Sequence, residues 1–289
     1  MKKVLVTGAS GFVGNYVVRQ LLSMNCSVIA TSSDAEKGKQ HSWFKSVKYI
    51  PFNLLHYSDR ENYHTFFDRP DYMIHLAWEG LPNYKSLFHI EENLPRHYAF
   101  LKNIIVNGLQ DLTVTGTCLE YGLQQGSLSE DMPTFPSNPY ALAKESLRKF
   151  LVEIDKLHPF VFKWVRLFYL YGKGQNPNSI LSQLDKAIET GETSFNMSGG
   201  EQIRDYLPVA EAASMITRIA LQKQVRGIVN CCSGNPVSVK QFVTDYCIRK
   251  KLTINLNLGY HPYTDYEPMR FWGNIEKLKK AIQSEITSE

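Results

Sequence analysis

Apolar positions along the chain alternate between two textures. Short runs rich in β-branched and aromatic residues, at 4–6, 27–30, 47–50, 72–76, 112–115 and 160–168, read as strands. Between them apolar residues recur at helical spacing, most clearly over 91–106 and 140–157, and behind the first run at Phe12, Val13, Tyr16, Val17, Leu21 and Leu22. Strands and helices in strict alternation predict an α/β fold: a Rossmann-type, doubly wound parallel sheet with helices on both faces.

The helix over 140–157 has an explicit start, since Ser137 or Asn138 can cap it and Pro139 suits its first turn. Leu147, Phe150, Leu151, Ile154 and Leu157 are the expected buried stripe, with Lys144 displaced toward the ligand side. Beyond Gly172 the texture changes: Gly174, Pro177 and Gly199-Gly200 mark loops, and helical patterns follow at 180–188, 209–221 and 239–248. The expected organisation is a dinucleotide-binding domain over 1–171 and a smaller substrate-binding lobe over 172–289, interleaved with the first. No internal repeat or low-complexity segment interrupts this plan.

Composition narrows the class. The 289 residues, 43% hydrophobic and 21% charged, suit a globular protein with a sizeable core. A net charge of +4, without blocks of basic residues and interleaved aromatics, gives nucleic-acid binding little support. No apolar run reaches the roughly 18 residues that span a bilayer, and the stretch after Lys2-Lys3 is too short for a signal peptide, so a cytoplasmic protein is expected. Cys26, Cys118, Cys231, Cys232 and Cys247 form no Cys-x-x-Cys pair and read as reduced, packed thiols. The eight histidines show no ligand spacing, so no metal site is expected.

Two motifs carry chemistry. The first strand runs directly into Thr7-Gly8-Ala9-Ser10-Gly11-Phe12-Val13-Gly14 and then a helix, a junction that suits phosphate. Gly8 permits the tight turn, Gly11 lets a pyrophosphate approach the backbone, and Gly14 lets the helix pack closely. The second motif is Thr117 with Tyr140 and Lys144. Four residues is about one helical turn, so Tyr140 and Lys144 share a face, and a lysine ammonium beside a phenol favours the phenolate. A tyrosine tuned in this way can pass a proton to or from a sugar or alcohol oxygen.

Together, the glycine fingerprint, the Thr-Gly-Thr strand end and the Tyr-x-x-x-Lys pair resemble the extended short-chain dehydrogenase/reductases, and more narrowly their nucleotide-sugar branch. The resemblance covers nearly the whole chain, including Arg166 to Gly172, Arg204-Asp205-Tyr206 and Asn230 to Gly234. It implies that Thr117 hydrogen-bonds the reacting oxygen, that Tyr140 is the acid/base, and that Lys144 binds the nicotinamide ribose and tunes the tyrosine. Ser10, Phe12 and Val13 join the three glycines around the dinucleotide, with Asn53 and Leu54 at adenine and Leu76 and Ala77 at the nicotinamide ribose. His75, beside them, reads first as a packing residue. Trp78, Glu120, Tyr169 and Arg204 fall at substrate positions. Arg204 matches an arginine that grips the sugar-nucleotide diphosphate. Tyr169 stands where the family commonly has asparagine, and Glu120 fits either an extra acid or a capping carboxylate.

The resemblance also frames cofactor and reaction. Family members specific for NAD end the second strand on an acidic residue, and that register here is Ser32, followed by Ser33, with Lys37 and Lys39 beyond. This favours NADP(H), while Asp34 keeps NAD(H) open. Dehydratases of the family carry an Asp-Glu pair after the threonine; Cys118 and Leu119 cannot replace it. Cys118 also lies one place before the cysteine position of the reductases that epimerise. The implied activity is NADPH-dependent reduction of carbon 4 of a nucleotide-linked 4-keto-6-deoxyhexose, dTDP-linked by resemblance and serving bacterial surface glycans. An NAD-dependent 4-epimerase is the first alternative, and a non-catalytic dinucleotide sensor the second. The helices over 91–106 and 140–157 resemble those that pair across a family homodimer.

Overall fold

Alternation along the first strand sorts its residues between two cores: Val4 and Val6 join one apolar cluster and Leu5 joins the other. A strand buried on both faces belongs in the middle of a covered parallel sheet. The computed structural model, which describes residues 1–283, places it there. The chain runs β1 (Lys3–Thr7), α1 (Phe12–Ser23), β2 (Ser27–Thr31), α2 (Ala35–Lys39), β3 (Lys48–Tyr49), α3 (Tyr63–Phe66), β4 (Tyr72–His75), α4 (Leu94–Val106), β5 (Asp111–Thr117), β6 (Gly126–Leu128), α5 (Pro139–Leu157) and β7 (Val161–Leu167). It continues through β8 (Tyr169–Tyr171), α6 (Ile180–Glu189), β9 (Ser194–Asn196), β10 (Ile203–Pro208), α7 (Val209–Leu221), β11 (Gly227–Cys231), β12 (Pro236–Ser238), α8 (Val239–Lys250), β13 (Asn255–Asn257), β14 (Phe271–Gly273) and α9 (Glu276–Gln283).

Seven strands form the parallel main sheet in the order β11-β7-β5-β4-β1-β2-β3. On one face, α1, α7 and α9 pack over a cluster containing Val17, Leu21, Ile216 and Leu278. On the other, α3, α4 and α5 cover Phe67, Phe100, Ile104, Leu147 and Leu151. The fold is therefore Rossmann-like and doubly wound. Strand order reverses between β1 and β4, so the loops leaving their carboxyl ends part there and open a crevice.

The chain does not divide cleanly at residue 171. Residues 209–231 and 276–283 return to the main sheet as α7, β11 and α9. The remaining lobe holds the small sheet β12-β10-β8, the pairs β13-β9 and β14-β6, and its own apolar cluster around Leu184, Phe195 and Val243.

Within α5, Asn138 supplies the cap, accepting the Ala141 amide at 2.9 Å, and Pro139 opens the helix. The buried stripe differs from the expected one. It comprises Tyr140, Ala143, Lys144, Leu147, Leu151 and Ile154, whereas Phe150 is 43% and Leu157 79% exposed. Both fall at the margin of a stripe centred on Lys144, Leu147 and Leu151, and Phe150 instead meets Tyr98 of α4 edge-on at 5.5 Å. Lys144 thus belongs to the buried face. The start of α4 also differs, being preceded by a wider π-helical turn, His89–Asn93.

Candidate functional site

Gly8 leaves β1 with φ of +66°, and a Cβ there would come within 2.8 Å of the Ala77 amide nitrogen. Only glycine lets the turn after β1 lie so close to the turn after β4. A Cβ on Gly14 would overlap the Gly8 carbonyl oxygen, so the first turn of α1 presses on the same loop. Gly11 is the N-cap of α1 and no side chain caps the helix, which leaves its first amides as orphan donors beside partly exposed Phe12 and Val13. Donors at a glycine-walled helix start, beside the sheet's switch point, fit a dinucleotide pyrophosphate. Ser10 is buried, and its carbonyl accepts from or faces His41 Nε2 at 3.3 Å.

At the end of β2 the expected phosphate partners are engaged elsewhere. Ser32 Oγ lies 2.6 Å from the Tyr49 hydroxyl and donates to the Asp34 carbonyl at 3.2 Å. Asp34 caps α2 through the Lys37 amide at 2.9 Å, and Lys39 pairs with Glu36 at 2.7 Å. Ser33 is exposed at the adjoining turn. Asn53 accepts the Leu55 amide at 2.9 Å, shaping a short helical turn, and Leu54 packs at the edge of the core.

The carboxyl ends of β4 and β5 meet α5 in a group of aromatic rings. His75 lies fully buried between Thr7 Oγ1 and His97 Nδ1, each at 2.8 Å. Burial pushes its imidazole down to about 3, and burial likewise holds His97 well below its ordinary value. Both rings are therefore neutral, and His75 packs rather than titrates. Leu76 leans on the α1 side of the core, and Ala77 contributes the backbone that faces Gly8. Trp78 stacks on His97 at 4.6 Å and donates its indole N–H to His89 Nδ1 at 3.1 Å.

Tyr140 packs against Tyr84, His89 and Trp78 with ring centroids 5.5, 5.3 and 6.1 Å away. Lys144 donates to the Thr115 carbonyl at 2.9 Å, and its ammonium lies 4.1 Å from the centroid of the Trp78 ring. Burial pushes Lys144 down to about 7, while Glu120 draws it up. For Tyr140 the electrostatics differ from the expected tuning. Burial raises the phenol well above its ordinary value, and Tyr84, Glu120 and Cys118 push the same way, while a hydrogen bond with Thr117 opposes them. The ammonium is spent on Thr115 and Trp78, so desolvation decides the tyrosine's state.

Glu120 is not at the substrate position. It is fully buried beneath Thr117, where its Oε1 accepts the Thr117 amide at 2.9 Å and the Thr117 hydroxyl accepts the Leu119 amide at 3.3 Å. Trp164 Nε1 reaches both carboxylate oxygens at 3.0 Å, and Arg166 Nε donates to Oε2 at 2.7 Å. The capping reading is the structural one, in a buried form. Gly116 is glycine because a Cβ would strike the Trp164 nitrogen and the Glu120 oxygen.

Across the crevice, Arg204 is buried rather than solvated. Its guanidinium pairs with Glu267 at 3.0 Å, donates to the Ile203 and Met269 carbonyls at 2.9 and 3.3 Å, and lies 4.7 Å from the Phe271 ring centroid. Tyr169 stands 5.8 Å from the same guanidinium, its phenol held well above the ordinary value first by burial and then by Glu267. Cys118, raised by burial and by Glu267, is also a neutral group here. Glu267 is absent from the residues singled out in the sequence: it sits 63 positions from Arg204, in a stretch with neither helical nor strand periodicity.

The structure therefore gathers Thr117, Tyr140, Lys144 and Trp78 at one place, Gly8 and Ala77 beside it, and Arg204 with Tyr169 across from it. A separate depression of about 1190 Å³, lined by Lys2, Asp71, Asp111, Lys223 and Arg226 among others, lies at the opposite, amino ends of the strands. Among the described residues no group of three His, Cys, Asp or Glu side chains is placed to hold a metal ion, and no helix is long and apolar enough to cross a membrane.

Residues 4–232 match the model of the NAD dependent epimerase/dehydratase family. The chain is 29% identical to dTDP-6-deoxy-L-talose 4-dehydrogenase (NAD(+)) of Aggregatibacter actinomycetemcomitans over 93% of its own length and 98% of that protein's. It is 22% identical to UDP-arabinose 4-epimerase 1 of Arabidopsis thaliana, over 96% of this chain and 74% of the relative. The structure of UDP-glucuronic acid 4-epimerase from Bacillus cereus, solved with UDP-glucuronic acid and NAD, superposes with a TM-score of 0.82 at 20% identity, covering 99% of this chain and 95% of that one.

Proposed function

Since the chain belongs to the NAD dependent epimerase/dehydratase family, we propose that it interconverts alcohol and ketone at carbon 4 of a nucleotide-linked 6-deoxyhexose, reducing the 4-keto sugar. The observation that carries this reading is the meeting of Thr117, Tyr140 and Lys144 at the sheet's switch point, with no carboxylate of theirs free to act as a second base, since Glu120 is locked under Thr117. The dTDP-linked 4-dehydrogenase, similar over nearly its whole length, is named for the reverse of this reduction.

Gly8, Gly11, Gly14 and the first amides of α1 would hold the pyrophosphate, and Lys144 the nicotinamide ribose. Bound dinucleotide supplies or removes the hydride at carbon 4. A phenol held well above its ordinary value is protonated at neutral pH, so Tyr140 is poised to donate a proton to the developing alkoxide. The Thr117 hydroxyl hydrogen-bonds the same oxygen, and its backbone is fixed by Glu120. Arg204 grips the diphosphate after exchanging its bond with Glu267.

The dinucleotide in this reading is NAD(H). NAD is the dinucleotide named for the dTDP-linked relative and in the Bacillus cereus epimerase complex, and Ser32 and Lys39 already have the protein partners Tyr49 and Glu36. A nucleotide-sugar 4-epimerase remains the second reading, favoured by the UDP-arabinose relative. The assembly in this reading is a homodimer through α4 and α5, which leave Val106 on α4 and Leu142 and Phe150 on α5 exposed.

The test is a panel of nucleotide-linked 4-keto-6-deoxyhexoses with NADH and with NADPH, followed by absorbance and product NMR. Stoichiometric NADH oxidation with a carbon-4 alcohol as product is expected. Turnover of a 4-hydroxy sugar without added cofactor, from protein carrying tightly held NAD, would replace reduction by epimerisation.

A further inference from the structure

Trp78 is built into the site by contacts from four directions. The imidazole of His97 on α4 stacks on it at 4.6 Å with planes 20° apart, and the Tyr140 ring meets it at 6.1 Å and 67°. Its N–H donates to His89 Nδ1 at 3.1 Å, and His89 Nε2 faces the Asn83 carbonyl at 2.9 Å, so the indole cannot rotate without breaking a hydrogen bond. Lys144 completes the set, its ammonium 4.1 Å from the ring centroid and fixed on its other side by the Thr115 carbonyl.

An indole face attracts a cation through its quadrupole, more strongly in a desolvated site, and attracts a neutral amine much less. The indole therefore acts on both the place and the charge of Lys144. The titratable groups that act on that ammonium or feel it are His75 from β4, His89 from the π-helical turn, His97 from α4 and Glu120 after β5. Burial holds the three imidazoles below their ordinary values, and the Glu120 carboxylate, which also pairs with Arg166, favours the charge on Lys144. The Trp78 ring thus joins the Thr115 carbonyl and Glu120 in supporting positive charge at a position that burial pushes toward the neutral amine.

We propose that Trp78 is a positioning residue for Lys144: its indole seats the ammonium against the Thr115 carbonyl and favours its charged form, so that a nicotinamide dinucleotide meets a cation there. This rests on the reading that the site binds such a dinucleotide. The test needs no sugar substrate. NADH affinity, read from the cofactor's own fluorescence, is measured from about pH 6 to about pH 9.5 for wild type, Trp78→Phe and Trp78→Leu. In wild type, affinity falls on the alkaline side as Lys144 loses its proton. Removing the ring lowers the lysine pKa, so Trp78→Leu brings the midpoint down by about one pH unit, with Trp78→Phe in between. Lys144→Arg, which keeps its charge throughout, erases the midpoint in both the wild-type and Trp78→Leu backgrounds.

Thermal melting identifies a variant that does not fold, and Trp78→Gln, which keeps an N–H for His89 without a ring face, then replaces Trp78→Leu and must show the same downward displacement. Equal midpoints in wild type and the ring-less variant, or identical losses in the Phe and Leu variants, overturn the proposal. Failure of wild type to bind NADH at any pH overturns the dinucleotide reading and the proposal with it.

Discussion

The Glu120 carboxylate accepts the backbone N–H of Thr117 at 2.9 Å, so Thr117 is held from below by a residue three places further along the chain. Trp164 and Arg166, both on β7, hold that carboxylate in turn, tying the end of β5 to its neighbouring strand. Glu120→Gln keeps the shape but removes the nearer of the two carboxylates paired with the buried Arg166 guanidinium, leaving only Glu145 at 3.5 Å. Removing one partner of a buried pair typically costs about 3 kcal/mol or more. Urea unfolding should show that loss, together with a lower kcat at nearly constant KM. Full stability with abolished turnover would instead place Glu120 in the chemistry.

Tyr140→Phe keeps the ring that packs on Tyr84, His89 and Trp78 and removes only the hydroxyl. NADH affinity should change little, while kcat should fall by about 10² to 10⁴, the usual worth of general acid–base catalysis. Steady-state kinetics beside a cofactor titration separates the two quantities. Unchanged turnover is incompatible with proton donation by this phenol.

The Arg204–Glu267 pair sets a competition for the guanidinium. In the proposed role of Arg204 a diphosphate displaces the carboxylate, so Glu267→Gln should tighten binding of a free nucleoside diphosphate, by about fivefold if roughly 1 kcal/mol of pairing is released. Arg204→Lys, which loses the planar fork, should weaken it. Isothermal calorimetry on the two variants tests the pair, and weaker binding by Glu267→Gln would show that the carboxylate assists the ligand.

Stability at acid pH should follow the buried histidines. The unfolded His75 titrates near 6.5 and the folded one near 3, so between those values the unfolded chain takes up a proton that the folded chain refuses. The His75 contribution is complete above about pH 6.5 and declines as pH falls toward 3, by about 1.4 kcal/mol per pH unit for each such histidine. His97, shifted in the same direction, adds to the slope. Chemical unfolding at several pH values between 7 and 4.5 measures it, and His97→Gln should remove about one proton from the dependence.

Which features were legible in the chain follows from the range of the interactions that make them. The six early strands, the glycine turn and the Asn138 cap depend on neighbours within a few residues, and the periodicity of apolar positions displays them. Phe150 and Leu157 were misplaced because helical spacing identifies a stripe without locating its margins. Glu120 was ambiguous because a carboxylate near a strand end reads the same whether it faces solvent or Arg166. Ser32 with Tyr49, and Arg204 with Glu267, are pairs across loops, and no local pattern marks which polar residue has already found a partner.

β11 lies beside β7 at the end of the main sheet, so the strand that shields β7 is made 60 residues after it. A chain ending at residue 171 would leave β7 as an open edge and the face under α1 without α7 and α9, which is a template for aggregation rather than a small stable domain. During synthesis the main sheet and its covering helices are therefore complete only once residues 209–231 and 276–283 have been made.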